Sequence, residues 1–273
     1  MSIRVLGCSG SIARGCRTTA FLLDDDILID AGTGVGDLGL DELSRIDHIL
    51  LSHAHLDHVL GVPLLADSVM RRRAGRPPIQ VHALPETLDV LRKHLFNDQL
   101  WPDFTRLPRA DEPVLSLVPL QLGDTLSLGA AQRQISVLPA RHSVPAVGYA
   151  VAGGSGWWVY TGDTGPNPAL WQALKGRTVS HLVIEIAFPE SERALASASQ
   201  HHCPSTLADE LRHAPPGLQV QLTHIKPGEM PAVMAELHRR LPDVALQTLR
   251  AGQRIVVGRP DAVLNAASLA PAH

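Results

Sequence analysis

Short apolar runs, bounded by glycine and aspartate, recur along most of the chain. Such runs between turn-forming residues predict β-strands, whereas Leu88, Leu91 and Leu95 recur at the spacing of a helix face. The predicted strands cover residues 3–6, 20–23, 27–30, 48–51, 126–128, 134–138, 148–151, 157–161, 182–186, 219–223 and 255–257. The predicted helices cover residues 85–96, 204–213 and 231–241. This order of elements predicts an α/β fold with two sheets flanked by helices.

The composition is that of an ordinary globular chain with enough apolar residues for a large core. Of its 273 residues, 45% are hydrophobic and 19% are charged, and the formal net charge is -3. No linker-like change in composition occurs along the chain. We therefore expect a single domain over residues 1–260, followed by an alanine-rich, frayed tail over residues 261–273.

Neither the cysteines nor the start of the chain indicates export. Cys8, Cys16 and Cys203 are odd in number and lack C-x-x-C spacing, which argues against a disulfide framework or a structural zinc cluster. The first ten residues lack the charged and apolar regions of a signal peptide, and no apolar stretch approaches the roughly 18 residues of a membrane span. We expect a cytoplasmic protein that makes no membrane contact.

Four metal-binding side chains follow one apolar run within six residues: His53, His55, Asp57 and His58. A strand that ends at Leu51 would aim His53 and His55 to the same side, and the other two residues follow as the chain turns. One ion could take the first pair, and a second ion close by could take the second pair. The pattern predicts two adjacent metal sites. The alternative is a cluster of surface histidines after a strand.

Three more polar residues stand where predicted strands end. His142, Asp163 and His224 each follow a run of apolar or β-branched residues. Taken singly, each is typical of a surface or turn residue. Taken with the first cluster, they supply a third imidazole for one ion, a carboxylate between the two ions, and another imidazole for the second ion.

The order H-x-H-x-D-H, His, Asp, His resembles the metallo-β-lactamase superfamily over nearly the whole chain. The resemblance implies an αββα sandwich with the metals at the edge between the sheets. It implies that one ion is bound by His53, His55 and His142, that the other is bound by Asp57, His58 and His224, and that Asp163 bridges them. Asp30, at the end of a predicted strand, resembles the residue that supports the ligands from behind. Glu185 is expected to orient a ligand without binding metal.

Four segments resemble the class II 3',5'-cyclic-nucleotide phosphodiesterases: residues 96–104, 161–166, 184–189 and 223–227. Residues 61–65 and 142–149 are more similar to the tRNA 3'-processing endonucleases. The tRNA enzymes that use a flexible Gly/Pro-rich arm carry it between the third metal histidine and the bridging aspartate. Only twenty residues separate His142 from Asp163, which leaves no room for such an arm. The chain is also net acidic, whereas binding of a tRNA is strengthened by a strongly basic face. A small cyclic nucleotide fits better.

The activity implied by the resemblance is hydrolysis of cAMP, or of cGMP, to the 5'-nucleotide. The nucleophile would be a hydroxide held between two divalent ions, with Zn expected before Mn or Fe. The alternatives are a tRNA 3'-processing phosphodiesterase and a metal-binding module without turnover. The implied partner is a small cyclic nucleotide and not a large nucleic acid, and the family also suggests a homodimer.

Catalysis is assigned to Asp57, His201 and His202. Either histidine could protonate the leaving oxygen, and His201 is preferred because it matches the family's His-x-x-Pro-x-x-Leu spacing. The alternative is that one or both are merely exposed near the start of a helix. Four residues are assigned to substrate binding: Asn97, Trp101, Phe104 and Lys226. The alternatives are a helix cap for the asparagine, core or interface packing for the aromatic residues, and a solvated lysine.

Overall fold

Two seven-stranded sheets face each other in the computed structural model, which describes residues 1–215 and 217–258. In chain order the strands are β1 (Ser2–Gly7), β2 (Ala20–Leu23), β3 (Ile27–Ala31), β4 (His48–Leu50), β5 (Ile79–Ala83), β6 (Pro108–Arg109), β7 (Glu112–Pro113), β8 (Leu115–Pro119), β9 (Thr125–Leu128), β10 (Arg133–Pro139), β11 (Val147–Gly153), β12 (Gly156–Tyr160), β13 (Val179–Glu185), β14 (Gln219–Thr223), β15 (Leu246–Thr248) and β16 (Arg254–Val256). The predicted tail at 261–273 and the domain boundary at 260 lie outside the described residues.

Helices cover the outer faces of both sheets. The α-helices are α1 (Leu40–Leu43), α2 (Leu56–Val59), α3 (Gly61–Val69), α4 (Pro85–Val90), α5 (Pro168–Leu174), α6 (Arg193–Ser199), α7 (Pro204–Leu211) and α8 (Met230–Arg240). Short 3-10 helices lie at Thr33–Asp37 and Glu190–Glu192, and a π-helical turn lies at Leu91–Leu95. None of the helices in the described part of the chain is both long and apolar enough to cross a membrane.

The strand directions bring many loops to one edge of the sandwich. In the first sheet the order is β16-β1-β2-β3-β4-β5-β8, and β3, β4, β5 and β8 are parallel. In the second the order is β15-β14-β13-β12-β11-β10-β9, and β12 to β15 are parallel. Antiparallel pairing of β11 with both β10 and β12 makes β10 run with β12. The carboxyl ends of β10, β12, β13 and β14 therefore lie along one edge.

The apolar core forms three layers. Between the sheets, the Phe21 ring meets the edges of Trp158 and Tyr160 at centroid distances of 5.7 and 5.1 Å. A second layer lies between the first sheet and helices α3 and α4, and a third lies between the second sheet and helices α5, α7 and α8. Helix, sheet, sheet and helix stack in that order, so the predicted single-domain αββα sandwich is confirmed over the described residues.

The predicted strands and helices are present, with ends that differ by a few residues. The sequence pattern does not predict β5, β6, β7, β8 or β15, nor the helices α1, α2, α3, α5 and α6. In β5 the polar Gln80 and His82 interrupt the apolar run, and β8 is a partly exposed edge strand. Such elements form because neighbouring strands bond to them, which a local pattern does not reveal.

The segment at residues 96–114 lies at the opposite edge from the predicted metal site. Helix α4 leaves the carboxyl end of β5, and the chain then returns to the start of β8. There the Leu115 N–H donates to the Phe104 carbonyl at 3.0 Å. Because β8 is parallel to β4 and β5, its start marks the amino-terminal edge. The family-like residues at 96–104 therefore connect two strands and do not line the metal site.

The sequence assigns Asn97, Trp101 and Phe104 to substrate binding, and the fold places them in this connecting segment. The Phe104 side chain is 2% exposed within the core layer of the first sheet, and Trp101 packs against the same layer. The Asn97 carboxamide oxygen accepts the N–H groups of Gln99 and Leu100 at 3.0 and 2.8 Å, and its nitrogen donates to the Lys93 carbonyl at 3.1 Å. The capping alternative therefore describes Asn97.

Replacing Phe104 by alanine is expected to lower the free energy of unfolding by about 3–5 kcal/mol, because a fully buried ring leaves a cavity. The KM for a phosphodiester should stay unchanged. Urea unfolding and steady-state kinetics measure both, with Leu100→Ala as the control because Leu100 is 62% exposed. A raised KM at unchanged stability would show that Phe104 contacts the substrate after all.

Candidate metal centre

Seven side chains meet at the carboxyl edge of the sandwich: His53, His55, Asp57, His58, His142, Asp163 and His224. They follow β4, β10, β12 and β14, the strands whose ends the fold brings together. Their possible ligand atoms form one group from three histidines and one from two histidines and two aspartates. Within each group the atoms lie within 4.8 Å of one another. The fold thus brings together all seven residues that the sequence singled out.

The first group contains three histidines, His53, His55 and His142. Nε2 of His142 lies 3.1 Å from Nδ1 of His55, and the His53 ring lies 4.6 Å from the His55 ring. Two nitrogens on one tetrahedral Zn²⁺, each at about 2.0–2.1 Å, would lie about 3.3 Å apart. Burial lowers the pKa of His142 to about 4 and holds that of His53 well below its usual value. These imidazoles are therefore neutral, the form that binds metal.

Asp163 faces both groups. Its Oδ2 lies 3.2 Å from Nε2 of His58, 3.3 Å from Nε2 of His224 and 3.8 Å from Nε2 of His53. Burial opposes ionisation of this carboxyl group, but the charges of His224 and His58 outweigh it and hold the pKa of Asp163 well below its usual value. A carboxylate in this position can contact an ion on either side.

The donor atoms of this cluster fit divalent metal ions. Nε2 of His53, Nε2 of His58 and Oδ1 of Asp163 are buried and have no hydrogen-bond partner among the described residues. Each such atom costs about 1–3 kcal/mol when it stays unpaired, so three of them at one place indicate a missing electropositive contact. Imidazole nitrogens and carboxylate oxygens are ligands that suit Zn and neighbouring divalent metals.

Asp30 lies directly behind His58. Its Oδ2 accepts Nδ1–H of His58 at 2.7 Å and the Tyr160 hydroxyl at 2.8 Å, and Ser52 donates to both of its oxygens. This bond fixes the His58 ring with Nε2 toward Asp163. Burial disfavours the charged imidazole, yet Asp163 and Asp30 raise the pKa of His58 well above its usual value.

Sequence reasoning missed Ser52 and Tyr160. Ser52 follows β4 and Tyr160 ends β12, so the two residues come from different sheets. Both donate to Asp30, whose backbone φ of 55° is left-handed. Nothing in the local sequence of either residue signals this contact.

Asp30→Asn is expected to lower the free energy of unfolding by about 2–4 kcal/mol, because buried donors lose a charged acceptor. Asparagine tolerates the left-handed backbone, so the change tests the carboxylate itself. Metal affinity should fall by about 10- to 100-fold as His58 loses its orientation. Chemical denaturation and metal titration measure the two effects, with the exposed Asp209→Asn as the control. Unchanged metal affinity would contradict the orienting role.

His201 lies beside the metal cluster and is held by Glu185. Nδ1 of His201 lies 2.7 Å from Oε1 of Glu185, which also accepts the Thr164 N–H at 3.0 Å. The His201 ring stacks on His224 with centroids 5.2 Å apart. A ligand atom of His201 lies within 4.8 Å of those of His142 and Asp163. The structure thus places His201 at the metal edge and Glu185 behind it.

The charges of this pair determine the state of the His201 ring. Burial disfavours the charged imidazole, but the adjacent Glu185 carboxylate outweighs it and raises the pKa of His201. Burial raises the pKa of Glu185 to about 7, and the charge of His201 opposes that change. The short contact favours one proton held on His201 Nδ1, facing the carboxylate. Its Nε2 is then the atom that can exchange a proton with a substrate.

His202, the other histidine that the sequence assigns to catalysis, is fully buried. The side chain has no exposed surface, and its Nδ1 lies 3.2 Å from the Thr206 hydroxyl. Burial, together with the charge of His201, lowers the pKa of His202 to about 3, so the ring is neutral near pH 7. Among the described residues, His201 shares a possible ligand group with His142 and Asp163, and His202 does not.

Lys226 lies near the site and is hydrogen-bonded to the loop after β1. Its Nζ donates to the Gly10 carbonyl at 2.6 Å and lies 5.8 Å from the centre of the Phe188 ring. Its charge is close enough to lower the pKa of His201. The ammonium group can therefore add positive potential at the site while it holds the loop after β1.

This fold and this ligand set define a class of metal-dependent hydrolases. Residues 26–246 match the family model described as a beta-lactamase superfamily domain. The chain belongs to that superfamily.

The chain is similar to two relatives and to one solved structure. It is 40% identical over 132 residues to a "Ribonuclease Z" of Bradyrhizobium sp. (strain ORS 278), covering 46% of this chain and 41% of that one. It is 27% identical over 207 residues to a "Probable 3',5'-cyclic-nucleotide phosphodiesterase" of Yersinia pestis, covering 67% and 57%. The chain thus spans about half the length of these two relatives. Unliganded yeast PDE1 has the same fold, with a TM-score of 0.76, 18% identity and coverage of 93% and 98%.

Proposed function

We propose that this chain hydrolyses 3',5'-cyclic nucleotides, cAMP first and cGMP second, to 5'-nucleotides at two divalent metal ions. The observation that carries the proposal is that a proton donor, His201, is held beside the two ligand groups. Asp163 faces both groups, and Glu185 holds His201 at the same edge. The similarity to the Yersinia pestis protein supports the choice of substrate.

The seven ligand residues divide between two ions, for which Zn suits the donors best and Mn or Fe are alternatives. We assign His53, His55 and His142 to one ion, Asp57, His58 and His224 to the other, and Asp163 to both. When bound, such ions neutralise charge on the phosphoryl oxygens and make water a stronger nucleophile. The role of this chain is to hold the donors at the observed spacings and to keep them in their metal-binding protonation states.

Asp57 combines a ligand role with access to the substrate. Its Oδ2 lies 3.6 Å from Nε2 of His58 and 3.9 Å from Nε2 of His224, while its side chain stays 29% exposed. The carboxylate can therefore also accept a proton from an attacking water. It is the most exposed member of the second ligand group.

His201 completes the reaction by protonating the departing 3' oxygen. An alkoxide is a poor leaving group at neutral pH, so a positioned acid accelerates this step by about 10²- to 10⁴-fold. Glu185 raises the pKa of His201 and fixes its ring. Lys226 adds positive charge nearby, where it can attract the anionic substrate.

The second candidate function is tRNA 3'-end processing, which the Bradyrhizobium relative favours. The connection from His142 to Asp163 argues against it, because β11 and β12 occupy most of those twenty residues. A flexible tRNA-binding arm has no place there. The formal net charge of -3 also gives little attraction to a polyanion.

The test compares four substrates with metal-loaded and chelator-treated protein: cAMP, cGMP, an aryl phosphodiester and a precursor tRNA. The proposal predicts chelator-sensitive release of 5'-AMP from cAMP and little cleavage of the tRNA. Cleavage of the aryl ester without release of 5'-AMP would reject the cyclic-nucleotide assignment. Cleavage of the tRNA at its 3' end would favour the second candidate. No hydrolysis of any substrate would indicate a metal-binding module without turnover.

A further inference from the structure

A cavity of about 320 Å³ lies between the loop after β1, the end of β14 and the start of α8. None of the seven ligand residues lines it, so it is separate from the metal centre. The two sites share a wall, however. Ile225, which directly follows His224, lines the cavity, as does Cys8, whose carbonyl accepts the His224 N–H at 2.8 Å.

The charged residues of this cavity are all cationic. Arg17, Lys226 and Arg250 line it, and no carboxylate does so among the described residues. Asp37 pairs with Arg17 at 3.1 Å, whereas Arg250 forms no ion pair within residues 1–215 and 217–258. Arg250 therefore gives this concave surface a positive potential, to which the Asp37-paired Arg17 adds less. Such a surface favours an anionic ligand.

The rest of the lining is largely apolar. Leu222 and Leu249 are 1% and 3% exposed and form part of the wall, together with Ile225 and Met230. A ligand with an apolar body and one anionic group matches both parts of the lining, and the volume suits a small organic molecule.

We propose that this cavity binds an organic phosphate. Its phosphate group would lie against Arg250 and Arg17, and its apolar body would lie on Leu222, Ile225 and Leu249. The proposal does not depend on the substrate of the metal centre. Free inorganic phosphate has the same anionic chemistry without the apolar body, so a comparison of the two ligands shows whether the apolar body contributes to binding.

Two cysteines line the cavity, so their alkylation can report whether a ligand occupies it. Cys8 and Cys16 both line it, whereas Cys203 is fully buried elsewhere and serves as an internal reference. Burial raises the pKa of the Cys8 thiol to about 11, so its reactive thiolate is scarce. Alkylation of Cys16 by iodoacetamide, quantified by peptide mass spectrometry on metal-loaded protein, is therefore the readout.

Phenyl phosphate is the probe, and inorganic phosphate and benzyl alcohol are its two comparison ligands. We expect phenyl phosphate to slow alkylation of Cys16 severalfold and saturably, at concentrations where neither comparison ligand does so. Arg250→Glu should raise the half-protecting concentration by about tenfold or more, because a charge-assisted contact is lost. Arg254→Glu is the matched control, since Arg254 is also exposed but does not line the cavity.

Four results would overturn the proposal. Protection could be absent at every concentration, or it could be unaffected by Arg250→Glu. Equal protection by inorganic phosphate would show that binding does not need the apolar body, and equal protection by benzyl alcohol would show that it does not need the phosphate group. If Asp163→Ala abolished protection of Cys16 while Arg250→Glu left it unchanged, phenyl phosphate would bind at the metal centre and not in this cavity.

Discussion

Asp163→Ala is expected to remove most of the bound metal and to lower turnover by at least about a thousandfold, which corresponds to about 4 kcal/mol of transition-state stabilisation. The reason is the position of the carboxylate. Its Oδ2 lies within 3.8 Å of ring nitrogens of His53, His58 and His224, so it faces both ligand groups. Elemental analysis of the purified variant and its rate of cAMP hydrolysis measure the two losses.

Two further variants make the Asp163 result interpretable. Asp163→Asn keeps the shape of the side chain but removes the charge, and should also lose metal. Asp111→Ala removes a carboxylate that is 66% exposed and should change neither quantity. A folded Asp163→Ala chain that retains wild-type metal content and near-normal turnover would reject the bridging role.

His201→Gln should give the second-largest effect, a loss of about 10²- to 10⁴-fold in kcat with normal metal content. The loss should depend on the leaving group. The 3' alkoxide of cAMP needs a proton, whereas a nitrophenolate leaves without one, so the aryl phosphodiester should lose much less activity. Kinetics with both substrates, together with the metal content of the variant, measure this difference.

Glu185→Gln and His213→Gln are the companions of the His201 experiment. Glu185 lies 2.7 Å from His201, so its variant should show a smaller loss with the same dependence on the leaving group. His213 is exposed and should have no effect. Because a nitrogen of His201 lies within 4.8 Å of ligand atoms of His142 and Asp163, it could itself bind metal. Loss of metal in His201→Gln, or an equal loss with both substrates, would contradict the proton-donor role.

The metal cluster could be predicted from sequence because its members are tied to strand ends. His53 to His58 are neighbours in the chain, and local strand geometry alone brings two of them to one side. His142, Asp163 and His224 are far apart, but each ends a predicted strand. They come together because strands that run in the same direction end at the same edge of the sheet.

Other parts of the site depend on contacts that no local pattern reveals. Asp30 could be placed behind the ligands by resemblance, but Ser52 and Tyr160 meet it only in the folded chain. Residues 97–104 resemble a functional segment, yet the return of the chain after α4 carries them to the far edge. His201 and His202 are adjacent in sequence, and only packing decides which of them faces the metals.

The most direct test of the two-metal account is a titration of chelator-treated protein with Zn²⁺, followed by bound metal per chain and by release of 5'-AMP from cAMP. The account predicts two bound ions per chain, with hydrolysis rising as both ligand groups fill. One ion per chain at full activity, or two ions per chain with no hydrolysis of any phosphodiester, would contradict it.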